Sequence, residues 1–330
     1  MVILAGVALF LIIQAAPAIG ADWSKNQSLT SGATGGFANF WTYVGPLLWG
    51  TIWVSALALL MGAPVAIGIA LFISHYAPRR IAGILGYLVD LLAAVPSVVF
   101  GLWGIFVIRP FLLPLTGWLN HNLGWFPLFG GNASSTGSTI FAGAVVLAVM
   151  ILPIMTSISR EIFLQTPRLH EEAALAMGAT RWEMIRLAVF PYARSGVVSA
   201  ILLGLGRALG ETMAIALIVS PSVIYSLLVL TDGNNAQTVA ANIALNFQAS
   251  DGLQRQALIG TGLMLFVISL AVNLLARLIV SRTGPDAKKR KTQRKAKELG
   301  TTDPAALVGP LQSAGPLGAE AVDRTLEQDS

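Results

Sequence analysis

The sequence predicts an all-α, polytopic membrane protein with six transmembrane helices. Its 330 residues are 55% hydrophobic and only 11% charged, whereas soluble domains carry about 25% charged residues. Apolar windows long enough to cross a hydrocarbon core of about 30 Å as helices recur along the chain. They cover residues 2–19, 47–73, 81–108, 140–158, 197–219 and 258–280.

The first window ends in the small-residue sequence AAPAIGA, which offers a cleavage site for a signal peptidase. A secretory signal peptide also needs a basic region before its apolar stretch, and that stretch is shorter than this one. We therefore favour a retained first span over a cleaved signal peptide. Because the apolar run begins at Met1, we also expect a short cytoplasmic leader to precede it.

The third window is long and contains Asp90 and Pro96. A proline removes a backbone donor and kinks or interrupts a helix. We expect either a kinked third span or a span preceded by a piece that lies in the membrane interface. The presumed outer loops are rich in Gly, Ser, Asn and Thr, as in FGGNASSTGST, which is typical of irregular connections.

The basic residues predict the orientation of the chain. They concentrate in HYAPRR between spans two and three, in the arginine-rich segment between spans four and five, and in KKRKTQRKAK after span six. Cytoplasmic loops carry the excess of Lys and Arg in membrane proteins. The N-terminus and the C-terminus are therefore expected in the cytoplasm, which agrees with an even number of spans.

Composition also argues against several classes of function. Cysteine is absent and the three histidines are scattered, so we expect no metal site and no redox chemistry. No phosphate-binding G-x-x-x-x-G-K-[ST] sequence occurs, so the chain is not its own ATPase, and we expect it not to be an enzyme. The basic residues lie beside apolar spans and in one tail, where membrane topology and anionic lipid account for them. Nucleic-acid binding is not expected.

The segment between spans four and five, about residues 159–195, is patterned as two helices rather than as a linker. Thr166 is a candidate N-cap for a helix that starts at Pro167 and stops at Gly178, a residue suited to a left-handed C-terminal cap. Thr180 and Glu183 have capping-box spacing and open a second short helix towards Pro191. The sequence predicts a helix, a glycine corner and another helix.

The fifth window carries an arginine and a glutamate four residues apart, Arg207 and Glu211. Residues at this spacing share a helix face and can pair, and Gly206 and Gly210 beside them would let a neighbouring helix approach closely. One interpretation is that Arg207 presents its charge to a phosphate-like anion while Glu211 holds the guanidinium in place. The other is a static ion pair that lowers the cost of inserting both charges.

Asp90 is a third charge inside a predicted span, six residues before Pro96. It could pair with Arg207 across helices and so belong to the substrate path. It could instead reach the water near the cytoplasmic entrance, which its early position in the span favours slightly.

The hairpin between spans four and five resembles the EAA loop of ABC-importer permeases, whose pattern is EAA-x3-G-x9-I-x-L-P. The matching residues are Glu172, Ala173, Ala174, Gly178 and Pro191. The spacing is matched throughout, but Ala188 and Phe190 stand where the pattern has Ile and Leu. The resemblance implies a type I ABC-importer permease in which this loop docks into a groove on a cytoplasmic ATPase.

Three further stretches, GLGRALGETMAI, DLLAAVPSVVFGLWGIF and HYAPRR, look like the phosphate branch of that family. The resemblance runs from about the first span to the end of the sixth. It implies a permease subunit of an ATP-driven inorganic phosphate importer in the bacterial inner membrane, with Arg207 and Glu211 as transport residues. Residues 1–282 would form the permease domain, and residues 283–330 a basic, disordered cytoplasmic tail.

The same resemblance implies the partners. A second, similar permease subunit would help to enclose the path, a periplasmic phosphate-binding protein would deliver the anion, and an ATPase dimer would bind the coupling loops. ATP and Mg²⁺ would be bound by the ATPase, and this chain would bind no cofactor. The alternatives are a permease for another oxyanion, such as sulfate or molybdate, and a membrane scaffold that transports nothing.

Overall fold

The computed structural model describes residues 2–23, 25, 29, 34–219, 222–231 and 236–283. Within these ranges the chain is helical and contains no strand; one isolated bridge joins Ala133 and Thr231. Six helical stretches are long and apolar enough to cross a membrane, as the sequence predicts. Met1–Ala276 form one compact unit, and the sites described below lie within it. Of the predicted tail, 283–330, only Thr283 is described, as the last residue of a helix; the rest lies outside the described residues.

The first two spans are single long helices. Helix α1 covers Val2–Gly20 and helix α2 covers Phe40–Leu71. A capping box between Asn39 and Thr42 starts α2, because each side chain satisfies a backbone N–H that the first helical turn leaves without a partner. The second span continues as a π-helical turn, Phe72–Tyr76.

The third span begins later than the sequence predicts. Helix α3, Arg79–Ala93, ends before Pro96, and the spanning helix starts at Ser97. This span consists of α4 (Ser97–Trp103), a π-helical turn (Gly104–Ile108) and α5 (Arg109–Leu123). The prediction of a span over 81–108 is therefore wrong, and the alternative of a separate preceding piece is confirmed. Pro96 lacks the N–H that a continuous helix would need.

The fourth span, α6 (Ile140–Leu164), lies at the centre of the unit. Thr139 caps its first turn by accepting a hydrogen bond from the backbone N–H of Ala142 at 3.1 Å. Of the six spans it is the most enclosed, with 67% of its apolar window buried. It packs along α2, where a Cβ on Gly62 would stand 3.3 Å from the carbonyl oxygen of Ala148, so the two backbones approach closely.

The hairpin that follows α6 leads directly into the fifth span. Helix α7 covers Arg168–Ala176 and α8 covers Arg181–Met184; a π-helical turn, Ile185–Val189, then joins α8 to α9, Phe190–Leu209. The second helix of the hairpin is thus the start of the fifth span rather than a separate short helix ending near Pro191. Proline is tolerated there because it occupies the first turn of α9.

Three helices complete the described chain. They are α10 (Met213–Ile218), α11 (Val239–Asn246) and α12 (Gly252–Thr283). A buried polar chain ties α11 to α2, since the Tyr43 hydroxyl donates to Asn242 Oδ1 at 2.6 Å and the N–H of Val239 donates to Thr51 Oγ1 at 3.0 Å. These bonds satisfy polar groups that would be costly to bury unpaired.

Candidate functional site

The fifth span is broken next to its charged residues. Helix α9 ends at Leu209, Gly210 closes it, and α10 begins at Met213. The prediction of one continuous helix over 197–219 is therefore wrong. The break has a local cause: glycine is a poor helix former, and the Glu211 side chain accepts a hydrogen bond from the backbone N–H of Ala214 at 3.0 Å, which starts a new helix instead of extending the old one.

Arg207 and Glu211 consequently do not form the predicted pair on one helix face. Arg207 lies in the last turn of α9, and Glu211 lies beyond its end, only 7% exposed. No ion pair joins them in the described part of the chain. The Nε atom of Arg207 is buried without a hydrogen-bond partner among the described residues. The structure leaves the Arg207 guanidinium without a counter-charge from this part of the chain.

Arg109 caps the C-terminal end of α10. Its guanidinium donates hydrogen bonds to the carbonyl oxygens of Leu217 and Ile218 and to Ser138 Oγ. A cation at the C-terminus of a helix complements the helix dipole and satisfies the last carbonyls. Arg109 lies inside the third span, and no local pattern around it in the sequence pointed to this role.

Glycines let α10 sit directly against two other spans. A Cβ on Gly101 would stand 3.1 Å from the Ala214 Cα, and one on Gly104 would stand 2.6 Å from the Ile218 side chain. From the fourth span, a Cβ on Gly143 would stand 2.9 Å from the Val219 side chain. Helix α10 is thus fixed at both ends by charged side chains and along its length by close packing.

The predicted close approach at Gly206 and Gly210 is not found within the described chain. No described atom lies within 4 Å of a Cβ built on Gly206, and both glycines are exposed. The close contact on α9 occurs instead at Gly204, where a Cβ would stand 2.6 Å from the Met155 sulfur. Leu203 on α9 and Met213 at the start of α10 are exposed as well, so the chain around the break is left open.

Asp90 lies on α3, outside the spanning helices, and is exposed. It accepts a hydrogen bond from Ser157 Oγ of α6 at 2.6 Å. It forms no ion pair with any residue that the structure describes, so the alternative in which it pairs with Arg207 gains no support. Its position outside the third span fits the interpretation of a charge that reaches the water at the membrane interface.

The hairpin has the predicted glycine corner. Gly178 has a φ of +85°, and the N–H groups of Gly178 and Ala179 donate to the carbonyl oxygens of Leu175 and Ala174. This arrangement is the Schellman motif, which ends a helix at a left-handed residue. The capping box of Thr180 and Glu183 also forms as predicted.

The start of the hairpin differs from the prediction. Helix α7 begins at Arg168 after Pro167, which is extended, and Thr166 makes no capping hydrogen bond; its Oγ1 is buried without a partner among the described residues. Glu172 and Ala173 are exposed on α7, whereas Ala174 is buried beneath it. An apolar hollow of about 370 Å³ opens beside them. It is lined by Leu169, His170, Ala173, Ala174, Met177, Leu187 and Ala188.

An unpredicted contact ties the hairpin to the second span. His75 Nε2 lies 3.5 Å from Glu171 Oε1, and the His75 Nδ1 lies 2.7 Å from Ser74 Oγ. The ring also meets Phe163 of α6 edge-on, with the centroids 6.5 Å apart. His75 therefore joins the end of the second span, the end of the fourth span and α7. A lone histidine in the sequence carries no signal for such a contact.

The described chain thus combines six membrane-length helices, a broken fifth span and an exposed helical hairpin between spans four and five. Solved ABC-importer structures share this fold. A MetNI methionine transporter in an inward-facing conformation matches 74% of this chain and 96% of its own, with a TM-score of 0.53 at 15% identity. A bacterial importer of the acidic polysaccharide alginate matches 85% of this chain and 94% of its own, with a TM-score of 0.52 at 18% identity.

The chain belongs to the family described as the binding-protein-dependent transport system inner membrane component, whose model matches residues 62–285. It is therefore a multi-pass inner-membrane permease component. Phosphate transport system permease protein PstC 2 of Mycobacterium tuberculosis is 48% identical over 276 residues, 83% of this chain and 85% of that protein. Phosphate transport system permease protein PstC of Xylella fastidiosa is 38% identical over 288 residues, which cover 84% of this chain and 88% of that protein.

Proposed function

We propose that this chain is the permease subunit of an ATP-driven importer of inorganic phosphate. The single observation that carries the proposal is Arg207, a partly buried arginine at the break in the fifth span with no ion-pair partner in the described chain. An arginine inside a span is costly unless it faces a partner or a water-filled path. The names of the relatives, phosphate transport system permease proteins, supply the anion.

Arginine suits this anion because its planar guanidinium donates paired hydrogen bonds to tetrahedral oxyanions. Glu211 is engaged at the start of α10 through Ala214, so its carboxylate does not neutralise Arg207 in this conformation. As the path opens, Glu211 exchanges partners and takes the guanidinium after the anion leaves. Arg207 thus binds the anion first and Glu211 afterwards, and the two side chains do not form a permanent ion pair.

A second, similar permease subunit encloses the path. The face of the fifth span with Leu203, Gly206, Gly210 and Met213 is exposed here, although it lies beside the charged residues. Two exposed glycines four residues apart let a helix of another subunit approach closely. The path therefore runs between the two subunits, with Arg207 at its edge.

A separate ATPase dimer drives transport through the hairpin. Exposed Leu169, Met177 and Leu187 surround the apolar hollow beside Glu172 and Ala173, and an exposed apolar patch of this kind is typical of a docking surface. The rigid corner at Gly178 passes the movement of the ATPase to the fifth span, which continues from the hairpin. ATP and Mg²⁺ bind to the ATPase, and this chain binds no cofactor.

The orientation follows from this arrangement. The hairpin faces the cytoplasm, and with six spans both termini lie on the same side. The opposite loops receive phosphate from a periplasmic binding protein. Asp90, near the hairpin end of the bundle, lies outside the spanning part and serves at most the exit of the path.

Phosphate uptake by the assembled transporter tests the proposal. We expect Arg207→Gln and Glu211→Gln to abolish uptake while subunit assembly and basal ATP hydrolysis persist. Arg194→Gln, an exposed arginine earlier in α9, serves as the matched control and should retain uptake. Normal uptake in both variants would reduce the two residues to a structural role and overturn the proposal.

Another oxyanion remains the second candidate, because the hairpin is shared by ABC-importer permeases generally. Competition between phosphate, sulfate and molybdate for uptake by the purified complex distinguishes these substrates. A scaffold that transports nothing would show no uptake and no ATPase co-purifying with the chain.

A further inference from the structure

A second basic site lies at the hairpin end of the bundle, away from the broken fifth span. A cavity of about 280 Å³ opens where the second span, α3, the fourth span and α7 meet. Three arginines line it, one from each of three elements: Arg79 of α3, Arg160 of α6 and Arg168 of α7. No acidic side chain lines the cavity.

The three arginines have no internal counter-charge. None of them forms an ion pair or a hydrogen bond through its side chain with a described residue. Glu171, which shares α7 with Arg168, lies 3.5 Å from His75 Nε2 and does not line the cavity. Three positive charges around one cavity repel each other unless an anion joins them.

Arg160 lies closely against α3 next to the cavity. Gly86 of α3 is buried, and a Cβ at this position would stand 2.2 Å from the Arg160 Nη1 and 2.7 Å from its Cζ. Only a residue without a side chain leaves room for the guanidinium to lie across α3. Arg160 is therefore held at the junction of α3 and α6 rather than extended into water.

The surroundings identify the source of the anion. Helix α3 presents exposed apolar side chains, among them Ile84, Tyr87 and Leu91, and it precedes a spanning helix without being one. Such an amphipathic helix lies in the membrane interface with its apolar side among the acyl chains. A basic cavity beside it is at the level of the lipid headgroups, and basic pockets between spans bind phosphate-bearing headgroups.

We propose that this cavity binds the phosphate group of an anionic membrane phospholipid, held by Arg79, Arg160 and Arg168, with the acyl chains along the apolar side of α3. The bound lipid joins three elements that otherwise repel each other. One of these is α7, so the lipid stabilises the hairpin in its place. The inference does not depend on which anion the transporter carries.

Native mass spectrometry of the full chain, purified with the subunits that accompany it, tests the proposal. Phosphatidylglycerol and phosphatidylcholine are titrated onto delipidated protein with and without inorganic phosphate. We expect Arg160→Gln with Arg168→Gln to weaken phosphatidylglycerol binding by at least about tenfold, since the two guanidinium groups lining the cavity would lose their charge-assisted hydrogen bonds to the phosphate. The control pair, Arg80→Gln with Arg194→Gln, removes the same charge from exposed positions outside the cavity and should bind as the unchanged protein does.

The arms of the experiment separate the sources of phosphate. Loss of phosphatidylglycerol in the cavity variant alone, with no effect of millimolar inorganic phosphate, supports the lipid. Displacement of the lipid by inorganic phosphate overturns the lipid as the occupant and assigns the cavity to the free anion. Equal phosphatidylglycerol binding in both variants overturns the proposal. So does loss of a co-purifying subunit at unchanged lipid binding, because the arginines would then face an acidic protein surface.

Single Arg168→Gln guards against a double variant that fails to fold. Arg168 is exposed on α7, so its replacement leaves the junction at Gly86 intact. We expect weaker phosphatidylglycerol binding than in the unchanged protein, because one charge-assisted hydrogen bond to the phosphate is lost, and a smaller rise in thermal stability on adding the lipid. A full lipid-dependent rise in this variant would contradict the proposal.

Discussion

Glu211 is four residues from Arg207 in the sequence, but the helix ends between them. A spacing rule for helix faces applies only while the helix continues. The side chain of Glu211 instead serves the backbone of the next helix through Ala214. The role of a single charged residue is thus decided by where its helix stops.

Two substitutions of Glu211 distinguish its role as a hydrogen-bond acceptor for the Ala214 N–H from the role of its negative charge. We expect Glu211→Ala to destabilise the protein by about 1 kcal/mol, since it removes the side-chain acceptor at the start of α10. Glu211→Gln keeps an acceptor oxygen and should cost less. Thermal unfolding of the purified complex measures both. Equal losses in the two variants would show that the charge, not the acceptor, stabilises α10.

Arg109 offers a second test at the scale of one residue. We expect Arg109→Ala to destabilise the protein by about 1.5–3 kcal/mol, the range for hydrogen bonds to charged groups, because the carbonyls of Leu217 and Ile218 lose their donor. Arg194→Ala, an exposed arginine on α9, should change the free energy of unfolding by less than about 0.5 kcal/mol. Similar effects of the two substitutions would contradict the capping role of Arg109.

The fifth span and the hairpin form one element that is interrupted twice. It bends at Gly178, where a left-handed residue ends α7, and it breaks at Gly210, where α9 gives way to α10. Between these points the span is continuous from Arg181 to Leu209. A movement of α7 is therefore carried along one helix to the residues proposed to contact the anion.

The bend at Gly178 gives a prediction for this element. A Cβ there meets no described atom within 4 Å, so Gly178→Ala adds only backbone strain of about 1–2 kcal/mol. We expect phosphate uptake per ATP hydrolysed to fall severalfold. Gly68→Ala in α2, where the backbone is helical and the space is also open, is the control. Unchanged coupling in Gly178→Ala would show that the hairpin does not need this bend.

At the scale of the whole molecule, the hairpin meets the bundle at a junction around His75. The π-helical turn at the end of the second span, α6 and α7 meet at His75, whose side chain is 8% exposed and whose partner Glu171 is 23% exposed. Apolar packing around Phe163, Ile185 and Val189 completes this junction. The junction links the proposed ATPase contact to the spans.

The contact between His75 and Glu171 can be tested by a double-mutant cycle. We expect His75→Ala and Glu171→Gln each to lower uptake per ATP hydrolysed, and the double variant to be no worse than the poorer single variant, as for residues in contact. Glu161→Gln, an exposed carboxylate on α6, serves as the control. Additive losses would mean that the two side chains act separately.

The sequence by itself determined the features that depend on local chemistry. Six apolar stretches, the capping box at Thr180 and the left-handed corner at Gly178 follow from hydrophobic length and backbone preference, and the structure has them. Pro96 also predicted an interruption near the third span. The sequence did not show that the span begins after this proline, at Ser97, and that the segment before it forms the separate helix α3.

The tertiary structure decided what the charged residues do. The break at Gly210, the cap that Arg109 provides across the bundle and the contact of His75 with Glu171 join residues that are distant in the chain or lie on separate helices. Spacing along one helix cannot report such contacts, because their energy comes from burial and from partners that only the packed bundle brings together.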